Sequence, residues 1–314
     1  MSLVVQTVFL SSGDLVADRR YQWALDYLAR GDQAGAAEIL EQVVETAPAF
    51  AAAWFALGML REGEGDRERA VAALVVASEA DREDYHGARL HLARLGAGEV
   101  TPAMTAAYVR RLFDQHAPRF DESLLQRLEY RGPQLLFEAV MAAARAAGRP
   151  TRFNSMLDLG CGTGLAGAAF RAEVDRLTGV DLSSAMIDEA RRKANYDRLV
   201  TGELVEFLVA EAAARTRYDL VTAADVLVYL PDLAVVAAAA RRVLVTAGLL
   251  AFTVETYGGD GVLLRETLRY AHGAAHVRAA IADAGLDLSY LAEAATRSEK
   301  GEPVPGLLVV ATMH

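Results

Sequence analysis

Along the first 95 residues, apolar side chains recur at helical spacing, and the pattern repeats itself. Setting the chain against itself at an offset of 34 pairs Gly31-Asp32 with Gly65-Asp66, Ala36 with Ala70 and Leu40 with Leu74. Trp54, Leu57 and Gly58, followed by Ala70, Leu74 and Ala77, describe two antiparallel helices. Small residues at 58 and 70 let them approach, and the large ones fill the groove between. Trp23, Ala24, Tyr27, Ala36 and Leu40 repeat the pattern more loosely, and Tyr85 to Leu95 reads as a lone helix or a degenerate half-unit. The run Gly96-Ala97-Gly98-Glu99-Val100-Thr101-Pro102 breaks the periodicity. Its glycines free the backbone, while Thr101 and Pro102 read as the N-cap and first residue of a new helix. The expected division is an all-α domain over 1–98 and a second domain over 99–314.

Beyond residue 150 the pattern changes to short, solid apolar runs separated by amphipathic stretches. Phe153–Leu159, Arg176–Asp181, Tyr218–Ala224 and Gly248–Glu255 read as strands, with two more at Leu286–Leu291 and Leu307–Ala311. Ala166–Phe170 opens a helix, Ser183-Ser184 caps another in which Met186, Ile187 and Ala190 share a face, and helical patterns run over 232–245 and 274–284. Strands alternating with helices over this length predict an α/β domain with a mainly parallel, doubly wound sheet.

The loop after the first of these strands carries the chemistry. In Met156-Leu-Asp158-Leu-Gly160-Cys161-Gly162-Thr-Gly164, the glycines allow a tight turn that offers bare backbone N–H groups to a ligand. Asp181, ending the next strand, is placed to accept hydrogen bonds from both hydroxyls of a ribose. Asp158, just ahead of the glycines, either orders the loop or receives an amino group. Gly162-Thr-Gly164-Leu-Ala-Gly167 also satisfies the G-x-G-x-x-G pattern of dinucleotide sites, with Asp181 at about the expected distance. A carboxylate at 158 and a third glycine at 160 favour a nucleoside over a pyrophosphate.

Leu157-Asp158-Leu-Gly160-Cys161-Gly162-Thr-Gly164, Val180-Asp181-Leu182-Ser183 with Met186, and Tyr218-Asp219-Leu220-Val221 followed by Asp225-Val226-Leu227 resemble the successive motifs of class I S-adenosylmethionine-dependent methyltransferases. The resemblance covers about 150–314 and is closest to small-molecule enzymes of the ubiquinone/menaquinone-biosynthesis type, methyltransferase type 11/12. The whole chain is similar to bacterial methyltransferases with N-terminal tetratricopeptide repeats. It implies a Rossmann-like seven-stranded sheet in the order 3-2-1-4-5-7-6, its last strand antiparallel, with S-adenosyl-L-methionine as cofactor and S-adenosyl-L-homocysteine as product. By motif, Gly160, Gly162 and Gly164, with the spacer Cys161, would line the methionine and ribose portions, and Asp181 would hold the ribose. Leu182 would flank the adenine, with Met186 in the following helix. Glu203 and Leu204 fall at the acidic position after the third strand, with Glu206 a competing register. Asp225 would lie near the methionine end or the substrate mouth. Tyr108 to Asp121, within a helical preface over 102–150, resembles the "Phe-Asp-x-x-Ala-x-x-Tyr-Asp" segment that folds over the cofactor in these enzymes. Phe120 stands where the family has Tyr, which leaves an apolar lid without a hydroxyl. Tyr108, Leu112 and Phe113 also read as ordinary core positions of an amphipathic helix.

Methyl transfer from a sulfonium is an in-line displacement, so the protein mainly supplies orientation and charge dispersal, and a base is needed only for a protonated acceptor. His272, one turn before His276, is the candidate base, with a structural role as the competing reading. Tyr229 and Glu255 are candidate substrate contacts, and His116 is a further candidate. The two histidines lack the H-E-x-x-H arrangement, so no metal is expected. The net charge of -10, with arginines mixed among acids, and the lack of an Asn/Asp-Pro-Pro-Tyr/Phe signature argue against nucleic acid as substrate. A small organic or carrier-bound acceptor is expected. The single cysteine excludes an internal disulfide framework. The N-terminus has no basic segment before its short apolar run and no stretch reaches about 18 apolar residues, so cytoplasmic residence without stable membrane insertion is expected. The repeats imply a concave surface for a peptide or partner protein, self-association, or simple packing on the neighbouring domain. Two other readings stand beside the enzyme: a binding or assembly protein with an inactive methyltransferase fold, and a nicotinamide-dependent oxidoreductase.

Overall fold

The computed structural model describes residues 11–100, 103–117, 120–122 and 128–314. Met1–Leu10, the Thr101-Pro102 helix start, and Pro118 and Arg119 of the preface lie outside the described residues. The chain divides into two compact units, Met1–Tyr108 and Val109–His314. That division falls beyond the break expected at Gly98, because the glycine run folds back on its own helix. Gly96 N bonds Ala93 O and Ala97 N bonds Leu92 O.

Among its described residues the first unit is all-helical: α1 (Leu15–Ala29), α2 (Gln33–Thr46), α3 (Ala51–Gly63), α4 (Arg67–Ala80) and α5 (Ala88–Arg94). The aligned Gly-Asp pairs have a physical reason. Gly31 and Gly65 end α1 and α3 at φ +83° and +82°, conformations open to glycine. Asp32 and Asp66 then cap α2 and α4, accepting from Gly35 N at 2.9 Å and Arg69 N at 3.1 Å. Ala36, Leu40, Ala70 and Leu74 are all fully buried. Trp23 departs from the expected pattern. It is 52% exposed, and Tyr21 takes the core position instead, edge-on to Phe50 with ring centroids 4.9 Å apart. Gly58 marks the closest approach, since a Cβ there would lie 2.8 Å from Leu74 Cγ and 3.3 Å from Ala70 O. Gly58→Ala is therefore expected to lower the stability of this unit by about 1–2 kcal/mol in urea unfolding, overpacking outweighing the gain in helix propensity.

The second unit is α/β. It comprises α6 (Ala106–His116, which enters from the first unit), α7 (Phe120–Glu122), α8 (Gly132–Ala146), β1 (Phe153–Leu159), α9 (Leu165–Phe170), β2 (Val174–Asp181), α10 (Ser184–Lys193), β3 (Arg198–Thr201), α11 (Leu204–Ala213), β4 (Tyr218–Ala223), α12 (Leu233–Arg241) and β5 (Leu244–Glu255). The chain continues through β6 (Val262–Leu264), β7 (Tyr270–His272), α13 (Ala274–Asp283), β8 (Leu286–Glu293), β9 (Ser298–Glu299), β10 (Glu302–Pro303) and β11 (Gly306–Met313). The main sheet runs β3-β2-β1-β4-β5-β11-β8. Neighbours are parallel from β3 to β5, and β11 is antiparallel to both β5 and β8.

Helices cover both faces of the sheet, which is why its strands read as solid apolar runs. Leu136, Val140 and Phe170 of α8 and α9 meet Met156, Leu220 and Val310 on one face. Phe207, Leu208, Val236 and Ile281 of α11, α12 and α13 meet Leu157, Val221, Phe252 and Val309 on the other. β5 begins earlier than the expected Gly248, because Leu244 pairs with Tyr218 before the register shifts, and Ala247 takes up the irregularity at φ +65°. The order reverses at β1, between β2 and β4, and the carboxyl ends of these strands frame a crevice. Among the described residues no helix is long and apolar enough to cross a membrane.

Candidate functional site

The β1–α9 loop is left-handed at each of its three glycines: φ is +61° at Gly160, +53° at Gly162 and +91° at Gly164. A Cβ on Gly160 would lie 2.4 Å from Val226 Cγ2, so the bare backbone lets the turn after β4 press against the loop. Asp181 at the end of β2 holds the loop from the other side. Its Oδ2 accepts from Gly162 N at 2.8 Å and its Oδ1 from Ser183 N at 2.8 Å. A carboxylate has about four acceptor sites, so Asp181 keeps acceptor capacity beyond these amides and the Leu182 N–H. Ser183 Oγ caps α10, accepting from Met186 N at 3.1 Å.

Burial pushes Asp181 up to about 6 despite the backbone N–H groups that favour its charge, and nearby Asp114 adds to the rise. Ribose hydroxyls donate to the ionised form, so affinity for a ribonucleoside is expected to fall as pH drops through about 6, by up to about tenfold per unit, in calorimetric titrations. The free protein has the opposite sign. A carboxyl whose folded pKa lies above its unfolded value stabilises the fold most below pH ~4, and that contribution is lost as pH rises to about 6.

Asp158 is turned into the protein. It is 1% exposed, and its carboxylate accepts from Tyr196 OH at 2.6 Å and Thr222 Oγ1 at 3.0 Å, which is the loop-ordering role. Tyr196, from the α10–β3 connection, was not singled out by the sequence. Cys161 is buried, and an added Cβ on Gly179 would stand 2.9 Å from its sulfur, so it packs on β2. Met186 is fully buried and is a core residue, which corrects its placement among the cofactor contacts. Leu182 and Leu204 are half-buried. Glu203 follows β3 and caps α11, accepting from Glu206 N at 2.8 Å, whereas Glu206 is exposed in the helix's first turn. Glu203 is the acid closer to the strand ends.

The preface is tied to this loop by its acids. Asp114 accepts from Ser183 Oγ at 2.5 Å, and Asp121 takes both Thr163 Oγ1 and the Lys193 ammonium. Phe120 reaches Gly162, a Cβ on which would lie 4.0 Å from its ring. Phe113 then stands edge-on between Phe120 and Tyr229, with centroids at 5.9 Å and 5.3 Å. All three rings are half-buried and form an apolar wall.

Beyond β4 and β5 lies a charged network that the sequence did not reveal. Arg265, Arg269 and Arg297 face Asp225, Glu255 and Glu299. Arg297 is its hub. It pairs with Glu255, donates from Nε to Glu299 at 3.0 Å, and lies 3.8 Å from Asp225. Asp225 adopts φ +55°, and its Oδ1 accepts from Thr253 Oγ1 at 2.6 Å and Thr296 Oγ1 at 3.1 Å. Glu255, expected as a substrate contact, is 3% exposed and committed to the arginines.

His272 is fully buried in β7 and stacks on His276 with centroids 5.5 Å apart. Burial, then the neighbouring His276, holds it down to about 4, so it is neutral at pH 7. β7 pairs with both β5 and β6, and the backbone of Leu227 and Leu230, in the turn after β4, lies beside the ring. A base must reach a substrate proton, so this burial favours the structural reading of His272 over the catalytic one. Tyr229 lies in a single 3-10 turn after β4, edge-on to Phe113. His116 is exposed at the end of α6, its Nδ1 2.5 Å from Leu112 O. Among the described residues no cluster of three or more metal-binding side chains forms.

Residues 157–250 match a family model described as a methyltransferase domain. Among solved structures, the chain resembles magnesium protoporphyrin IX methyltransferase from Synechocystis PCC 6803 with bound SAH, at 20% identity and a TM-score of 0.51, covering 67% of this chain and 99% of that one. It also resembles the Burkholderia thailandensis 1,6-didemethyltoxoflavin-N1-methyltransferase with bound 1,6-didemethyltoxoflavin and S-adenosylhomocysteine, at 18% identity and a TM-score of 0.51, over 66% of this chain and 88% of that one. These likenesses are of fold. No curated protein matches the sequence.

Proposed function

We infer that residues 109–314 form a methyltransferase that uses S-adenosyl-L-methionine to methylate a small organic or carrier-bound acceptor. The observation that carries this reading is the Asp181 carboxylate. It is fixed to the glycine loop by Gly162 N and to the start of α10 by Ser183 N, and its acceptor capacity beyond these amides suits the hydroxyls of a ribose. The seven-strand order with an antiparallel β11 and the domain-model match support it.

Bound in this crevice, S-adenosylmethionine supplies an electrophilic methyl on a sulfonium. The protein's part is placement. Asp181 holds the ribose, Gly160, Gly162 and Gly164 admit the chain of the cofactor against bare backbone, and Leu182, Glu203 and Leu204 border the adenine. Phe120 and Phe113 exclude water from above. The acceptor enters over Tyr229 and the ends of β4 and β5, where in-line geometry does most of the work. With His272 buried, a protonated acceptor gives up its proton to solvent or to a group it brings. The helical unit, whose 34-residue repeat resembles tetratricopeptide units, offers a surface for a protein partner or for self-association in the cytoplasm.

Calorimetry with S-adenosylmethionine, S-adenosylhomocysteine and NAD tests the reading. The two S-adenosyl compounds are expected to bind in the micromolar range and NAD not to bind. Uptake of NAD without affinity for either would overturn the assignment. Turnover with radiolabelled methyl donor then separates an active enzyme from a binding protein.

A further inference from the structure

The glycine pattern holds one feature that the cofactor does not explain. Gly164, Gly167 and Gly179 come from the loop, from α9 and from the middle of β2, and all three face the same side chain. A Cβ on each would lie 3.0, 2.4 and 2.8 Å from the ring of Tyr196. Tyr196 thus fills a slot cut by three missing side chains. Its hydroxyl makes two bonds at the bottom of that slot, donating to Asp158 Oδ2 at 2.6 Å and accepting from Gly167 N at 3.1 Å. Asp158 is anchored in turn to β4 through Thr222 Oγ1 at 3.0 Å. One phenol therefore joins β1, β4 and the first turn of α9.

We propose, resting on the methyltransferase reading, that Tyr196 with Asp158 is the positioning pair that sets the glycine loop for the S-adenosyl nucleoside, without touching it. The third glycine of Gly162-x-Gly164-x-x-Gly167 serves this ring. In a dinucleotide site the amides opening the helix after the loop receive a pyrophosphate. Here Gly167 N is already bonded to Tyr196, and a carboxylate stands directly behind that hydroxyl. Ionised, Asp158 accepts from both Tyr196 and Thr222; protonation turns one oxygen into a donor and weakens that arrangement. The groups that face it are Tyr196, Thr222, Asp181, Cys161 and Tyr130.

The test uses the full chain and S-adenosylhomocysteine, with Tyr196→Phe, Asp158→Asn and the double variant titrated calorimetrically from pH 5.5 to 8.5. Phe fills the same slot and Asn keeps the shape of Asp, so thermal melts should stay cooperative. Should Tyr196→Phe melt, Asp158→Asn carries the test alone. Each single variant is expected to lose about tenfold in affinity at pH 7.5, roughly one hydrogen bond to a charged group. The double variant is expected to lose no more than about threefold beyond either, as for residues acting as a unit. In Tyr196→Phe the loss of a donor to the carboxylate should move the acid limb of the binding profile upward, by about one pH unit. In Asp158→Asn the Asp158 part of that limb should vanish. Folded single variants within twofold of the wild type, additive losses, or an unmoved acid limb would each overturn the proposal while leaving the functional reading intact. A wild type with no affinity for S-adenosylhomocysteine would instead refute the functional reading, and this proposal with it.

Discussion

Asp181→Ala is expected to weaken S-adenosylhomocysteine binding at least about 30-fold at pH 7.5, or about 2 kcal/mol. Two effects add. The ribose loses a charged acceptor for both hydroxyls, each such bond being worth about 1.5–3 kcal/mol when made to a charged group. Gly162 N and Ser183 N also lose their partner, so the loop and the start of α10 are no longer held together. Asp181→Asn should fall between, because one oxygen still accepts while the amide turns a donor toward a neighbouring N–H. The cost should shrink below pH ~6, where the wild-type carboxyl itself takes up a proton. Unchanged affinity in a folded Asp181→Ala protein would remove the residue from the site.

Arg297→Met is expected to destabilise the α/β unit by about 3 kcal/mol in urea unfolding. Arg297 and Glu255 have side chains only 4% and 3% exposed, so removing one leaves a charge without its nearest partner in a poorly solvated place. The expected loss sits at the low end of the range for broken buried pairs. Glu255 keeps Arg265 at 3.4 Å and Arg269 at 3.7 Å, which offset part of the missing charge. Arg297→Lys should recover only part, because a single ammonium cannot meet Glu255, Glu299 and Asp225 with the separate nitrogens of a guanidinium. The pairing is shielded from solvent, so added salt should change the difference little. A loss below about 0.5 kcal/mol would show that the network carries no stability.

The parts of the site that the sequence made legible are those written locally. Ser183 precedes an amphipathic run and caps it, and Asp181 closes a strand next to a glycine loop. Gly31-Asp32 and Gly65-Asp66 terminate one helix and cap the next within two residues. Each is a short-range rule about backbone groups that need partners. Tyr196 was not legible, because its partner Asp158 lies 38 positions away and no spacing joins them. One signal was present, though. Gly179 sits in the middle of a strand, where glycine marks a close approach by something else.

His272 shows the complementary error. Its place after the long segment from Thr256 suggested a pocket, but the three-residue strands β6 and β7 in that segment are too short to leave a period. The arginine network escaped for the same reason, its members being scattered from Asp225 to Glu299 over loops and strand ends. Met186 and Trp23 exchanged expectations: the first is core where a wall was expected, and the second faces solvent where a core was expected. Helical spacing gives a face, and only the neighbours decide what that face meets.

The most direct measurement is a crystal structure of the full chain with S-adenosylhomocysteine. The account predicts ribose density with both hydroxyls within hydrogen-bonding distance of Asp181, the homocysteine portion against Gly160–Gly164, and Tyr196 still bonded to Asp158 and Gly167. Nucleoside density placed away from Asp181, or a glycine loop that carries no ligand at saturating concentration, would contradict it.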